Sequence, residues 1–267
     1  MKGKHRLRLL ALALLAALLL AGCGGGSDNG DGAAAESSAV AYLRQLEQGD
    51  PDRVIAIIRQ QRQARLEAEL LVLRDQLLNG EADVWSMFED YLILGDSRAV
   101  GFAYFTPLPS ERILADAGDK ITSVAEHMDD ILAYNPARIY IAYGINDINI
   151  GFWPTVEDYI EEMENVLGQV RENLPDVEIY VNSILPVEDW ALYKGAMWKY
   201  VPDWNEAIGQ ACAENGWTFI DNAEIVAEHQ EYYETDGIHF QSGFYPYWAT
   251  NMILATYFRD AEEALDA

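Results

Sequence analysis

The sequence predicts an α/β fold built on a central parallel five-stranded sheet with helices on both sides. Three observations carry this expectation. Five short apolar segments alternate with helical ones, the intervening segments repeat their apolar residues at helical spacing, and the residues able to do chemistry follow the ends of the apolar segments. Strands that alternate with helices need crossover connections, and such connections build a parallel sheet covered on both faces. In such a sheet the ligand crevice lies beyond the carboxyl ends of the strands.

The elements follow in order. "SAVAYLRQLEQGDP" reads as a short helix stopped by Gly49-Asp50-Pro51, and "DRVIAIIRQQRQARLEAELLVLRDQLL" as a second one stopped by Asn79-Gly80. This pair stands either as a spacer hairpin or packed on the main domain. The strand candidates are "YLILG" (91–95), "RILAD" (112–116), "RIYIAYG" (138–144), "EIYVNSI" (178–184) and "WTFID" (217–221). Between the second and third, "DKITSVAEHMDDILAY" sets Ile121, Val124, Ala125, Met128, Ile131 and Leu132 on one helical face. Between the third and fourth, "TVEDYIEEMENVLGQVRENLP" does the same with Tyr159, Ile160, Met163, Val166, Leu167 and Val170. That helix starts at a Thr155 cap and stops before Pro175.

The chain opens with Lys2, Lys4, His5, Arg6 and Arg8, followed by an apolar run from Leu9 to Leu20. That run is shorter than the about 20 residues a membrane span needs, and it has the n-region and h-region of a secretory signal peptide. "LLAGC", ending in Cys23, resembles the lipobox of bacterial lipoproteins, which implies that Cys23 is lipidated. The expected organisation is a signal peptide over 1–22, a flexible Gly/Ser linker over 23–36, a helical extension over 37–83 and the main domain over 84–267. The expected location is outside the cytoplasmic membrane, held there by the lipid anchor. The chain carries 18 basic and 44 acidic residues, net −26. Without the four basic residues of the signal peptide, 14 remain against 44, or −30. Such a surface repels nucleic acid and anionic headgroups. With Cys23 acylated, Cys212 is left alone, so no intrachain disulfide forms. Its place beside Ile208 and Ala211 in a helical pattern predicts a buried, inert thiol.

Two motifs fall at expected strand ends and a third lies near the C-terminus. The first, Gly95-Asp96-Ser97, puts a serine at the start of the next helix, where its backbone N–H and the helix dipole favour a negative oxygen. The second, "GIND" (144–147), brings the side-chain amide of Asn146 to the same rim as a donor. The third, "DGIH" (236–239), offers an imidazole with a carboxylate three residues earlier, close enough to hold one tautomer. The chain has four histidines. His5 leaves with the signal peptide, His127 flanks an amphipathic helix and His229 sits at a solvated helix end. His239 alone follows a short turn that presents side chains to a rim.

Together and in this order, "GDS", "GIND" and "DGIH" resemble blocks one, three and five of the SGNH (GDSL-type) hydrolase family, over most of Leu92 to Phe258. The resemblance implies a three-layer α/β/α flavodoxin-like fold and a serine esterase. It implies Ser97 as nucleophile, His239 as general base and Asp236 as its orienting acid. The implied oxyanion donors are the Ser97 and Gly118 backbone N–H groups and the Asn146 amide. Asp119 beside Gly118 opposes an oxyanion unless its carboxylate turns away to cap the next helix. Arg98 departs from the family pattern, and either binds an anionic substrate group or pairs with a surface acid. No metal or other cofactor is required, since the chain has no Cys/His cluster to bind a metal.

The segment "PVEDWALYKGAMWKYVPDW" (186–204) follows the fourth strand and overhangs the same rim with Trp190, Tyr193, Trp198, Tyr200 and Trp204. Flat aromatic faces there suit sugar rings, and packing of the loop onto the core accounts for part of the set. The expected substrate is an O-acetylated envelope or dietary glycan. Acyl transfer to a glycan hydroxyl by the same residues, and non-catalytic glycan binding, remain open at this point. The sequence leaves the oligomeric state undetermined.

Overall fold

The computed structural model describes the backbone of residues 51–149 and 151–266. The expected signal peptide, Cys23, the expected linker and the expected first helix of the extension lie outside the described residues. The chain divides into two units, Met1–Ile58 and Arg59–Ala267, and the second carries the sheet.

Five parallel strands form the sheet in the order β2-β1-β3-β4-β5. They are β1 (Tyr91–Gly95), β2 (Ile113–Ala115), β3 (Arg138–Ala142), β4 (Glu178–Asn182) and β5 (Thr218–Ile220). The register aligns Gly95 with both Ala115 and Ala142, so the first three strands end at one level. Every residue of β1 is buried, and the period-two alternation of a strand sends its residues to two different cores. Leu92 and Leu94 join Ile139, Ile141, Ile179 and Val181 in one core. Ile93 joins Tyr140, Tyr180 and Ile220 in the other.

The covering helices account for the rest of both cores. α1 (Pro51–Leu78) precedes the sheet, and its last turns pack on it, with Leu77 buried in the same core as Phe88 and Tyr91. α2 (Val100–Phe105) follows β1. The segment expected to be one helix after β2 is two, α3 (Ser123–Glu126) and α4 (Met128–Tyr134), joined at His127 with φ −90° and ψ 4°. This break rotates the second half against the first, so Ala125 and Leu132 are exposed while Ile121, Val124 and Ile131 stay buried. α5 (Ile145–Asn149) is short. α6 (Val156–Asn173) is capped by Thr155 as expected, and the cap is reciprocal: Asp158 N–H donates to Thr155 Oγ1, and Thr155 N–H to Asp158 Oδ2. α7 (Val201–Asn215), α8 (Ala223–Glu228) and α9 (Tyr245–Asp266) complete the set.

β1 ends where its apolar run does, whereas β3 and β4 stop two residues before the runs that predict them. β3 ends at Ala142, and Gly144 then takes a left-handed φ of 128° in a space where a Cβ would lie 2.4 Å from Ile184. Tyr143 after β3 and Ile184 after β4 belong to the turns that follow the strands.

Candidate active site

β1 delivers the first chemical group. After Gly95 the chain enters a tight turn in which the Asp96 carbonyl accepts the Ala99 and Val100 N–H groups, at 2.9 and 3.2 Å. Glycine is required at 95, since a Cβ there would lie 2.5 Å from Ala99 and 2.7 Å from the Ala142 carbonyl. Ser97 stands in this turn, ahead of α2 rather than at its first residue, and α2 has only six residues. The helix dipole therefore contributes less than the sequence suggests.

The second group comes from a hairpin near the C-terminus. Tyr233 bridges Phe240 in antiparallel fashion, the Glu234 N–H donates to the His239 carbonyl at 2.8 Å, and Gly237 turns the chain with φ +69°. This hairpin sets Asp236 and His239 side by side. His239 Nδ1 lies 2.6 Å from Asp236 Oδ2, and His239 Nε2 lies 2.8 Å from Ser97 Oγ. With Nδ1 donating to the carboxylate, Nε2 is free to accept the serine proton. Asp236 Oδ1 also accepts the Ile238 and His239 N–H groups, at 2.8 and 3.0 Å. Partial burial raises the Asp236 pKa, but these hydrogen bonds outweigh burial and hold it down at about 2. An acceptor that stays ionised fixes one imidazole tautomer and stabilises an imidazolium.

The third group is the loop pair that follows β2 and β3. Gly118 has φ +93°, and the space where its Cβ would stand is open. The Asn146 amide donates to the Asp119 carbonyl at 2.9 Å, which ties "GIND" to the loop bearing Gly118. Asp119 does turn away, though not to cap the following helix. Its Oδ2 accepts the Asp116 N–H at 3.1 Å and lies 3.7 Å from His127 Nε2. The group at the start of the following segment is Asp147, whose two oxygens each lie 3.3 Å from the Ile121 N–H, with Oδ1 also accepting the Trp153 indole N–H at 3.0 Å. Asp147 is a residue the sequence reasoning missed, and its only signal was its place beside Asn146. Burial raises its pKa to about 6 against these hydrogen bonds.

Arg98 takes neither of the two expected roles. Its side chain is buried, 3% exposed, and reaches no surface acid. It donates to the carbonyls of Leu185 and, at 3.5 Å, Pro186, and its guanidinium lies 5.9 Å from the Phe240 ring centre. Its own carbonyl accepts the Tyr245 hydroxyl at 2.8 Å. The arginine thus joins the serine turn, the exit of β4 and the histidine hairpin. Asp96 beside it is also buried, and burial raises its pKa to about 6 despite the Arg98 charge. Arg98 Nε and the Tyr143 hydroxyl make no hydrogen bond among the described residues. Both line a cavity of about 10 Å³, a volume that suits one water among polar groups.

The aromatic segment after β4 divides by function. Trp198 and Trp204 are buried, the part of the set that packs the loop onto the core. Trp198 donates to the Ile145 carbonyl at 3.0 Å and Trp204 packs on Tyr159, 4.9 Å between centres. Trp190, Tyr193 and Tyr200 remain exposed. Cys212 is buried with its thiol pKa pushed up to about 12, as an inert core residue. His229 lies outside the site, stacked on Tyr247 at 3.7 Å.

Residues 93–245 match the GDSL-like lipase/acylhydrolase family. Among solved structures, the chain is similar to the lipase/acylhydrolase from Enterococcus faecalis. The two are 14% identical with a TM-score of 0.52, over 64% of this chain and 97% of that one. It is also similar to a GDSL-like lipase from Bacteroides thetaiotaomicron, at 15% identity and a TM-score of 0.51, over 64% of this chain and 88% of that one. At such identities the likeness is one of fold. No curated protein sequence matches the chain. The family match spans more than half of the chain, from the middle of β1 into α9, and takes in all three motifs: the chain belongs to the GDSL-like lipase/acylhydrolase family and is a serine ester hydrolase.

Proposed function

We propose that Ser97, His239 and Asp236 carry out the ester hydrolysis, and that the substrate is an O-acetylated glycan. The observation that supports the first part is the hydrogen-bonded series from Ser97 Oγ to His239 Nε2 to Asp236, at 2.8 and 2.6 Å. His239 takes the Ser97 proton as the oxygen attacks the ester carbonyl, and the ionised Asp236 stabilises the imidazolium. The tetrahedral oxyanion is held by the Ser97 and Gly118 N–H groups and the Asn146 amide. Loss of one such donor costs ~3 kcal/mol of barrier. The imidazolium then protonates the leaving alcohol, and water, deprotonated by His239, attacks the acyl-enzyme and releases the acid.

The glycan half of the proposal is supported by the exposed rings of Trp190, Tyr193 and Tyr200 after β4, and by the exported, anchored context that residues 1–23 imply. The proposed location is the outer side of the cytoplasmic membrane, with Cys23 acylated. Labelled palmitate incorporated by the wild type and not by Cys23→Ala tests that location.

A fluorophosphonate probe and p-nitrophenyl acetate test the catalytic reading. Wild type is expected to be labelled and active, and Ser97→Ala and His239→Ala inactive. Activity that survives both substitutions sinks the assignment. Acetate released from acetylated glycans supports the substrate reading, while exclusive cleavage of long-chain lipid esters overturns it.

A further inference from the structure

One aromatic ring after β4, Trp190, packs against the histidine hairpin itself, and a second, Tyr193, lies beside it. Trp190 is 46% exposed and Tyr193 77% exposed, yet their planes lie within 30° of each other with centres 6.2 Å apart. The indole N–H of Trp190 donates to Glu188 Oε2 at 2.7 Å. The Trp190 ring also lies over Gly237, where a Cβ would come within 2.7 Å of Cζ2. The Lys194 ammonium donates to the Asp236 carbonyl at 2.8 Å and lies 5.0 Å from the Trp190 centre and 5.8 Å from that of Tyr193. The Glu188 N–H donates to the Gly237 carbonyl at 2.9 Å. Trp190 is thus held before any ligand arrives, against the hairpin that carries Asp236, with the Tyr193 ring beside it.

We propose that Trp190 and Tyr193 form a platform for one pyranose ring of the substrate, set at a fixed offset from His239 by the Glu188–Gly237 and Lys194–Asp236 hydrogen bonds. This inference rests on the glycan ester reading above. A pyranose offers an apolar C–H face to stack and equatorial hydroxyls at its edge. The platform offers two flat rings, with a carboxylate and an ammonium at their border to meet those hydroxyls. A fatty acyl chain needs an unbroken apolar trough, and the charges of Glu188 and Lys194 interrupt one here. Because the Trp190 ring is already held, seating a sugar on it loses little side-chain entropy. Because it packs against the hairpin, a seated sugar is positioned against the imidazole and not merely captured nearby.

The test compares kcat/KM on acetylated xylan oligosaccharides with kcat/KM on p-nitrophenyl acetate, for wild type, Trp190→Ala, Tyr193→Ala and Tyr193→Phe. The ratio of the two is expected to fall about tenfold or more in both alanine variants and to stay within about twofold in Tyr193→Phe, which keeps the ring. Tyr193→Ala serves as the variant that leaves packing intact, since that ring is the more exposed. A ratio unchanged in both alanine variants, with the wild type active on the glycan, overturns the platform alone. A wild type that releases no acetate from the glycan while cleaving p-nitrophenyl acetate overturns the underlying substrate reading as well.

Discussion

The two carboxylate oxygens of Asp147 each lie 3.3 Å from the backbone N–H of Ile121, and this contact ties the turn after β3 to the loop after β2. The same loop receives the Asn146 amide at the Asp119 carbonyl. Adjacent residues of "GIND" therefore hold the segment that carries Gly118 at two points. Asp147→Ala leaves the Ile121 N–H and the Trp153 indole without their acceptor in a buried place, at ~1–3 kcal/mol of stability. The kinetic outcome expected from the proposed oxyanion role of Gly118 is a drop in kcat of about tenfold or more with KM nearly unchanged. Steady-state kinetics and urea unfolding measure the two effects.

The buried carboxylates also set a pH dependence of stability. Asp96 and Asp147 have folded pKa values of about 6, above the ordinary value of 3.8. The native state therefore binds their protons more tightly than the unfolded chain does. Their contribution to stability falls as pH rises from about 4 to about 6 and is level above that. Asp236 has the opposite sign. Its folded pKa of about 2 gives stability that is present above 3.8 and lost as pH falls toward 2. Asp147→Asn removes one group of the first kind. Its stability relative to wild type should therefore rise by ~2–3 kcal/mol between pH 4 and pH 7. Urea midpoints of the two proteins across this range decide the matter, and parallel curves would contradict it.

Arg98 separates a structural from a substrate-binding role. Arg98→Met strips the Leu185 carbonyl of its donor, leaves the Pro186 carbonyl with the Tyr233 hydroxyl alone, and leaves buried Asp96 without its counter-charge. Breaking a buried charged group out of its partners costs roughly 3–5 kcal/mol. Because the side chain reaches the β4 exit and not the surface, kcat/KM on neutral and anionic esters should fall by the same factor. A selective loss on anionic esters would restore the substrate-contact reading.

Gly237 joins the turn of the hairpin to the ring of Trp190. Gly237→Ala places a Cβ 2.7 Å from Trp190 Cζ2 and 3.1 Å from Ala191, at a φ of +69°. The backbone alone costs ~1–2 kcal/mol for a non-glycine residue in this region. The displaced ring and turn should lower kcat on p-nitrophenyl acetate and lower activity on the glycan further. Equal activity of variant and wild type on both would show that the hairpin tolerates movement of its turn.

Asp236→Asn tests the tautomer. The amide can no longer accept the His239 Nδ1 proton at one of its positions, and it lacks the charge that stabilises an imidazolium. A fall in kcat of roughly a thousandfold or more is expected with the fold retained. Circular dichroism and active-site titration together distinguish this from unfolding.

Much of this protein was legible in its sequence because the signals are local. The alternation of strands and helices, the Thr155 cap and the buried face of α6 depend on spacing along a single element. The scarcity of histidine singled out His239 before any distance was known. Other features turned on which segments meet. A break at His127, set by φ and ψ at one residue, exposed Ala125 and Leu132 against the helical pattern. Nothing in "PVEDWALYKGAMWKYVPDW" separates Trp198, donating to the Ile145 carbonyl, from Trp190, lying exposed beside Gly237.

The sequence by itself determined the strand and helix order, the family motifs and the residue types available at the strand ends. Tertiary structure alone decided that Arg98 points inward to two carbonyls, that the Asp119 carboxylate turns back to Asp116, and that Asp147 holds the Gly118 loop. The physical reason is the range of the forces. Periodicity and capping act over a few residues of one chain segment, whereas a buried charge or amide takes whichever partner the packing of distant turns brings within about 3 Å.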